Sequence, residues 1–249
     1  MNCCQMSHKM EKFIKNFINS IASCDLETGY FPGPVVTISR QAGCSAKRIA
    51  IKLSKILTGY SYMSDTKTDA EWKWVDKDLF EDVVKDMITE VKSSGYDDSE
   101  EAVKILTQAA KVFSDETIYD ITDEMMLETF KGVICRLAYK GRVIIINPSA
   151  GVILNSVPNK LNIRLEAPLE WRINRIMQLK DLTQAESVEF VREMDSKRDI
   201  FIEKIIGRNT NNDDFDVIFN YASMQDDEII DAVVNILKNK KIISPYDDF

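Results

Sequence analysis

The chain has 249 residues, 45% apolar and 29% charged, with a formal net charge of −8. A chain of this length buries roughly 70% of its unfolded surface and needs neither disulfides nor a structural metal to hold a core, and its acidic balance argues against a nucleic-acid partner. Five cysteines (Cys3, Cys4, Cys24, Cys44 and Cys135) without zinc spacing, and a single histidine, His8, argue against a metal site and a Ser-His-Asp triad, and predict reduced thiols.

Charge is unevenly spread. Residues 1–60 hold eight Lys/Arg against three Asp/Glu, residues 61–130 seven against nineteen, residues 131–208 fourteen against nine, and residues 209–249 three against nine. Two basic segments in an acidic chain can converge on one anionic ligand. No apolar run is long enough to span a bilayer, and the N-terminus lacks the basic and apolar regions of a secretory signal, so the expectation is a cytoplasmic protein with no membrane partner.

In chain order, Met10, Phe13, Ile14, Phe17, Ile18 and Ile21 form one stripe of an amphipathic helix over residues 9–23. It is a candidate contact for the core, or for a homo-oligomer. Residues 1–33 are this helix and a linker, broken by Gly29, Pro32, Gly33 and Pro34, and residues 34–249 form the main α/β domain. The β-branched run Val35-Val36-Thr37-Ile38-Ser39 predicts a buried strand, residues 40–45 a turn, and the following residues a helix that Gly59 ends. Residues 61–130 read as a helical, acidic insert without strand character, either a substrate-side subdomain or scaffold only. Trp72 and Trp74 alternate as a strand edge would, and core packing is their default role. Val143–Asn147, Leu161–Leu165 and Phe215–Asn220 predict three further strands, and residues 169–180, 183–206 and 226–238 predict helices, with Thr183 and Glu186 as a capping box. Strands alternating with helices imply a mainly parallel sheet.

Ligands of open α/β sheets sit beyond the carboxyl ends of the strands. The first such turn reads Ser39-Arg40-Gln41-Ala42-Gly43-Cys44-Ser45-Ala46-Lys47-Arg48. Its small residues open a helix and let backbone N–H groups approach phosphate, although GxxxxGK[ST] is not matched. A strand-to-helix turn serving structure alone is the competing reading. A helix N-terminus also lowers a thiol pKa, which would make Cys44 reactive; the alternative is a small loop residue. Asp76 reads as an N-cap for the helix beginning near Lys77.

Taken together, VVTISRQAGCSAKRIAIKLSKIL, VIIINPSAGVIL, LNIRLEAPLEWRINRIMQLKDLTQAESVEFVREMDSKRDIFI and FDVIFN resemble the cytidylate-kinase-like proteins, in order, over roughly residues 34–238. The resemblance implies an α/β, P-loop NTPase-like parallel sheet flanked by helices, with a helical insert and a helical lid over residues 169–206. It further implies ATP with Mg²⁺ as cofactors, a nucleotide ligand, and phosphorylation of CMP or dCMP. Carried over by position, Ser39, Arg40, Gly43, Cys44, Ser45, Lys47 and Arg48 fall on the phosphate loop, Arg172 and Arg175 on the lid helix as catalytic cations, and Arg198 with them on the next helix. Asp195 falls on the substrate side, and Asp76 resembles the acidic start of the family's substrate helix, which implies a contact with the nucleoside or Mg²⁺ as the alternative to its N-cap role. Arg172 and Arg175 lie at i,i+3 and share a helix face, as do Asp195 and Arg198.

Three departures qualify the implied activity. Ala46 stands where related kinases place the loop lysine, with Lys47 one position on and about 100° round the helix. Ser45 and Ala46 replace glycines, and each Cβ narrows the approach to phosphate. Asn147-Pro148 replaces a Gly-Arg after the second core strand, and proline carries neither charge nor N–H. A nucleotide binder or regulatory pseudo-kinase without turnover is therefore the alternative to an enzyme.

Overall fold

The computed structural model describes residues 33–63, 71–75, 77–93, 103–104, 106–108 and 124–243. The expected N-terminal helix, Asp76 and parts of the acidic insert lie outside the described residues.

Five strands make one parallel sheet in the order β2-β3-β1-β4-β5. They are β1 (Val35–Arg40), β2 (Lys73–Trp74), β3 (Val143–Ile146), β4 (Lys160–Glu166) and β5 (Val217–Asn220). The first strand sits centrally, with Val36 opposite both Ile144 and Leu161. Its side chains alternate between two cores, as the period of a strand requires. Val36 and Ile38, with Leu161, Ile163 and Leu165 of β4, pack against α1 (Ala46–Met63) and α7 (Asp226–Asn239). On the other face Val35, with Val143 and Ile145, packs against α2 (Lys77–Ser93), α3 (Glu124–Lys140) and α6 (Gln184–Ile206), where Phe130 and Phe201 meet edge to face. Thr37 and Asn162 point to this second face. Both are buried polar groups, and the Thr37 hydroxyl donates to Asn162 Oδ1 at 2.5 Å, which removes the desolvation penalty of an unmade bond.

Two expectations are corrected. The acidic insert does contain a strand: Lys73 and Trp74 pair with Val143 and Ile144, in a ladder too short for a periodic signal. Gly59 does not end α1, which runs on to Met63. A terminating glycine must turn left-handed, whereas here tertiary contacts carry the helix on: the Thr58 hydroxyl accepts the Trp72 amide at 3.0 Å, and Lys238 covers the Tyr60 ring. A four-residue helix, α4 (Ala150–Ile153), follows β3. The capping box is present, with Thr183 Oγ1 accepting the Glu186 amide and Glu186 accepting the Thr183 amide.

At the sheet's opposite end the chain enters β1 through a contact between Gly33 and Gly141. A Cβ on Gly33 would lie 2.6 Å from the Gly141 Cα, and Gly141 is itself at φ +69°.

Candidate functional site

The central position of β1 fixes the site. Its connection runs toward β2 while that of the neighbouring β4 runs toward β5, so a crevice opens where the two loops part. The turn of residues 41–45 lies there and leads into the N-terminus of the 18-residue helix α1. Gly43 holds φ +91°, and a Cβ on it would sit 3.2–3.3 Å from the Cβ and backbone of Arg172. Only glycine fits a left-handed turn pressed so closely against a helix. Among the described residues the amides of Gly43 and Ser45 meet no protein acceptor, whereas those of Gln41, Ala42, Cys44 and Ala46 do.

Two lid helices flank the turn, α5 (Leu169–Lys180) and α6. They share a small apolar core of Ile173, Ile176 and Val191, into which the loop contributes Ala42. The polar atoms of Ala42 are held as well. Its N–H donates to Asp195 Oδ1 at 2.7 Å, and its carbonyl accepts from Arg172 at 3.4 Å. Arg172 is 7% exposed and also donates to the Ala167 carbonyl at 3.0 Å and to Asp195 Oδ2 at 2.5 Å. Arg198 reaches Asp195 and the Arg40 carbonyl, both at 3.5 Å. Behind this cluster lies a groove of about 500 Å³ with Leu169, Asp199, Ile200 and Glu203 on its walls. Burial, then the neighbouring Asp195, holds the Asp199 carboxyl above its ordinary value.

Arg175 faces a different environment. Its guanidinium donates to the Ser45 hydroxyl at 3.2 Å and lies 5.0 and 5.1 Å from the rings of Trp171 and Tyr221, which meet each other edge to face. Its Nε is buried and has no acceptor. Arg48, on the first turns of α1, pairs with Asp226 at 2.7 Å, and Asp226 accepts the Tyr221 hydroxyl at 2.9 Å.

The structure thus brings Arg40, Gly43, Cys44, Ser45, Arg48, Arg172, Arg175, Asp195 and Arg198 together around one turn. Ser39 is buried at the end of β1. Lys47 turns away, its ammonium 5.3 Å from the centre of the Trp74 ring. Of the two readings of Cys44, the small loop residue fits: burial pushes its thiol up to about 11, against the lowering effect of Arg172 and Arg175, so the helix N-terminus does not yield a reactive thiolate. After β3 the buried Asn147 accepts the amide and hydroxyl of Ser149, closing a tight turn beside Pro148. Sequence reasoning missed Ala42, Trp171 and Tyr221; an aromatic at 171, between a lid glutamate and arginine, was the available signal.

This arrangement coincides with a match to the Cytidylate kinase-like family over residues 35–223. The chain belongs to that family. Among solved structures it is similar to an uncharacterized protein from Eubacterium ventriosum, at 14% identity and a TM-score of 0.51, covering 83% of this chain and 98% of the other. A shikimate kinase from Bacteroides thetaiotaomicron aligns at 13% identity and a TM-score of 0.37, covering 83% of this chain and 96% of that one. No curated protein sequence matches. The cytidylate kinase-like assignment agrees with the parallel sheet and with the turn at the head of α1. Among the described residues no helix is long and apolar enough to cross a membrane.

The residues present fit a nucleotide's phosphates: two open amides at a helix N-terminus and a guanidinium beside them. For Mg²⁺ the fit is thinner. Among the described residues no three His, Cys, Asp or Glu converge, and Asp195 is already bonded. Magnesium in such sites is held largely by phosphate and water, and the Ser45 hydroxyl already accepts from Arg175.

Proposed function

We propose that this chain binds ATP·Mg²⁺ at residues 40–48 and transfers the terminal phosphoryl group to a pyrimidine nucleoside monophosphate such as CMP or dCMP. The observation that carries this reading is Arg175. It is a half-buried guanidinium whose buried Nε has no acceptor, held by two aromatic rings and Ser45 beside the open amides of Gly43 and Ser45. Phosphoryl transfer asks little covalent work of a protein; positioning and charge stabilisation suffice. The attacking phosphate oxygen is already anionic, so no general base is needed. In this reading Arg175 stabilises the moving charge and ATP·Mg²⁺ supplies the phosphoryl group.

The second reading, nucleotide binding without turnover, is favoured by Lys47, which lies over Trp74, and by Asn147-Pro148, which offers no cation after β3. Thermal-shift titration with ATP·Mg²⁺, CMP and dCMP, against GMP and AMP, followed by a turnover assay, separates the two. At 100 times its Kd a ligand adds about 2.7 kcal/mol, or roughly 5–10 °C for a chain of this size. A shift with ATP and CMP plus turnover supports the kinase. A shift without turnover supports the binder, and no shift with any nucleotide in a cooperatively melting sample sinks both.

A further inference from the structure

Asp195 lies where three segments meet. Its Oδ1 accepts the Ala42 amide from the loop at 2.7 Å, its Oδ2 accepts Arg172 of α5 at 2.5 Å, and Arg198, one turn along its own helix, stands at 3.5 Å. Ala42 is the loop's contribution to the apolar core between α5 and α6, and its carbonyl is taken by Arg172. The Gln41 side chain adds a further tie by accepting the Ala167 amide at 3.1 Å. Arg172 and Arg198 are 7% and 8% exposed, and each spends hydrogen bonds on loop backbone. Carboxylates that bind guanidinium and amide together do so through short, charge-assisted bonds of fixed geometry. The loop can therefore not shift independently of the two helices, and a change in helix position reaches the Gly43 and Ser45 amides through residue 42.

We infer that Asp195 is a positioning residue for the phosphate loop: it anchors the Ala42 amide and, with Arg172 and Arg198, ties the loop to the lid helices, while Arg175 stands on the ligand side of the loop. The inference rests on the reading of residues 40–48 as a nucleotide phosphate site, and it separates Asp195 from any direct contact with the acceptor. Hydrogen exchange at the Ala42 amide in the full chain, by NMR, reads the anchor without a ligand, and titration with ATP·Mg²⁺ reads its consequence. Asp195→Ala is expected to speed Ala42 exchange and to weaken ATP·Mg²⁺ binding, each by about tenfold or more. Asp195→Asn keeps an amide acceptor and is expected to hold Ala42 exchange within about threefold of wild type while still weakening the tie to Arg172. Arg172→Lys, which cannot span Ala167 and Asp195 at once, is expected to speed Ala42 exchange as well, and serves if Asp195→Ala does not fold. Unchanged Ala42 exchange in a folded Asp195→Ala or Arg172→Lys protein overturns the inference. So does an Asp195→Ala protein with intact ATP·Mg²⁺ affinity and a raised KM for CMP, the pattern of a direct acceptor contact. If the wild type itself fails to bind ATP·Mg²⁺, the nucleotide reading falls, and the exchange measurement still decides the anchor.

Discussion

Arg172 and Arg175 stand one turn apart on the same helix, and a sequence reading treats them as a pair. Their surroundings differ in kind. Arg172 is buried, with every bond directed at loop backbone or Asp195. Arg175 lies between two aromatic rings, reaches a loop hydroxyl, and keeps a buried donor without an acceptor. Helical spacing fixes which side chains share a face; which of them is consumed by structure depends on what packs against that face. Here the loop backbone meets Arg172 while Arg175 meets the crevice.

Substitutions break this contrast in graded ways. Arg172→Ala leaves Asp195 without its shortest partner and should cost about 3 kcal/mol of stability, which chemical denaturation would read as a lower midpoint with an unchanged slope. Arg175→Ala should melt within roughly 1 kcal/mol of wild type, the worth of a cation-π contact, yet lose about tenfold to hundredfold in ATP·Mg²⁺ affinity by calorimetry. A reversal, with Arg175 governing the melt and Arg172 the affinity, would show that the roles are misassigned. Gly43→Ala forces a side chain into a left-handed turn against Arg172 and should cost about 1–2 kcal/mol, together with part of the ligand-induced thermal shift.

The smallest effect concerns Cys44, which is buried at the head of α1. Its thiol titrates near 11, above its ordinary 9.0, because burial disfavours the thiolate. A raised folded-state pKa contributes stability that is complete below the unfolded value and is lost as pH rises through the folded one. Wild type should thus lose stability between about pH 9 and 11 by more than Cys44→Ser does, and Cys44 should resist alkylation in the native protein at pH 8. Rapid alkylation of Cys44 there would mean that the loop opens more readily than its contacts imply.

Much of the framework was legible because it rests on local signals. Val35–Ile38 and Val143–Ile146 are continuous β-branched runs, Lys160–Glu166 alternates polar with apolar residues, and Thr183 with Glu186 announces the start of α6. Residues 73–74 were not legible, since two residues show no period and their pairing is decided by β3. Gly59 misled because propensity yields to the packing of Tyr60 and Thr58. At the site, the turn and the two arginine-bearing helices could be placed from sequence. The division between anchoring and ligand-facing arginines could not, because it depends on a contact between Ala42 and Asp195 across 153 positions of chain.

The meeting of Gly33 and Gly141 bears on how this chain can vary. A methyl group at either position runs into main chain, so the obstruction is not one that a smaller neighbour could relieve. In a saturation library the two sites should both reject every replacement, and no second-site partner at the other glycine should restore a lost variant. That signature, joint intolerance without compensation, differs from the size-for-size exchange expected of contacting core side chains. It would identify the entry to β1 as a place where two backbones touch.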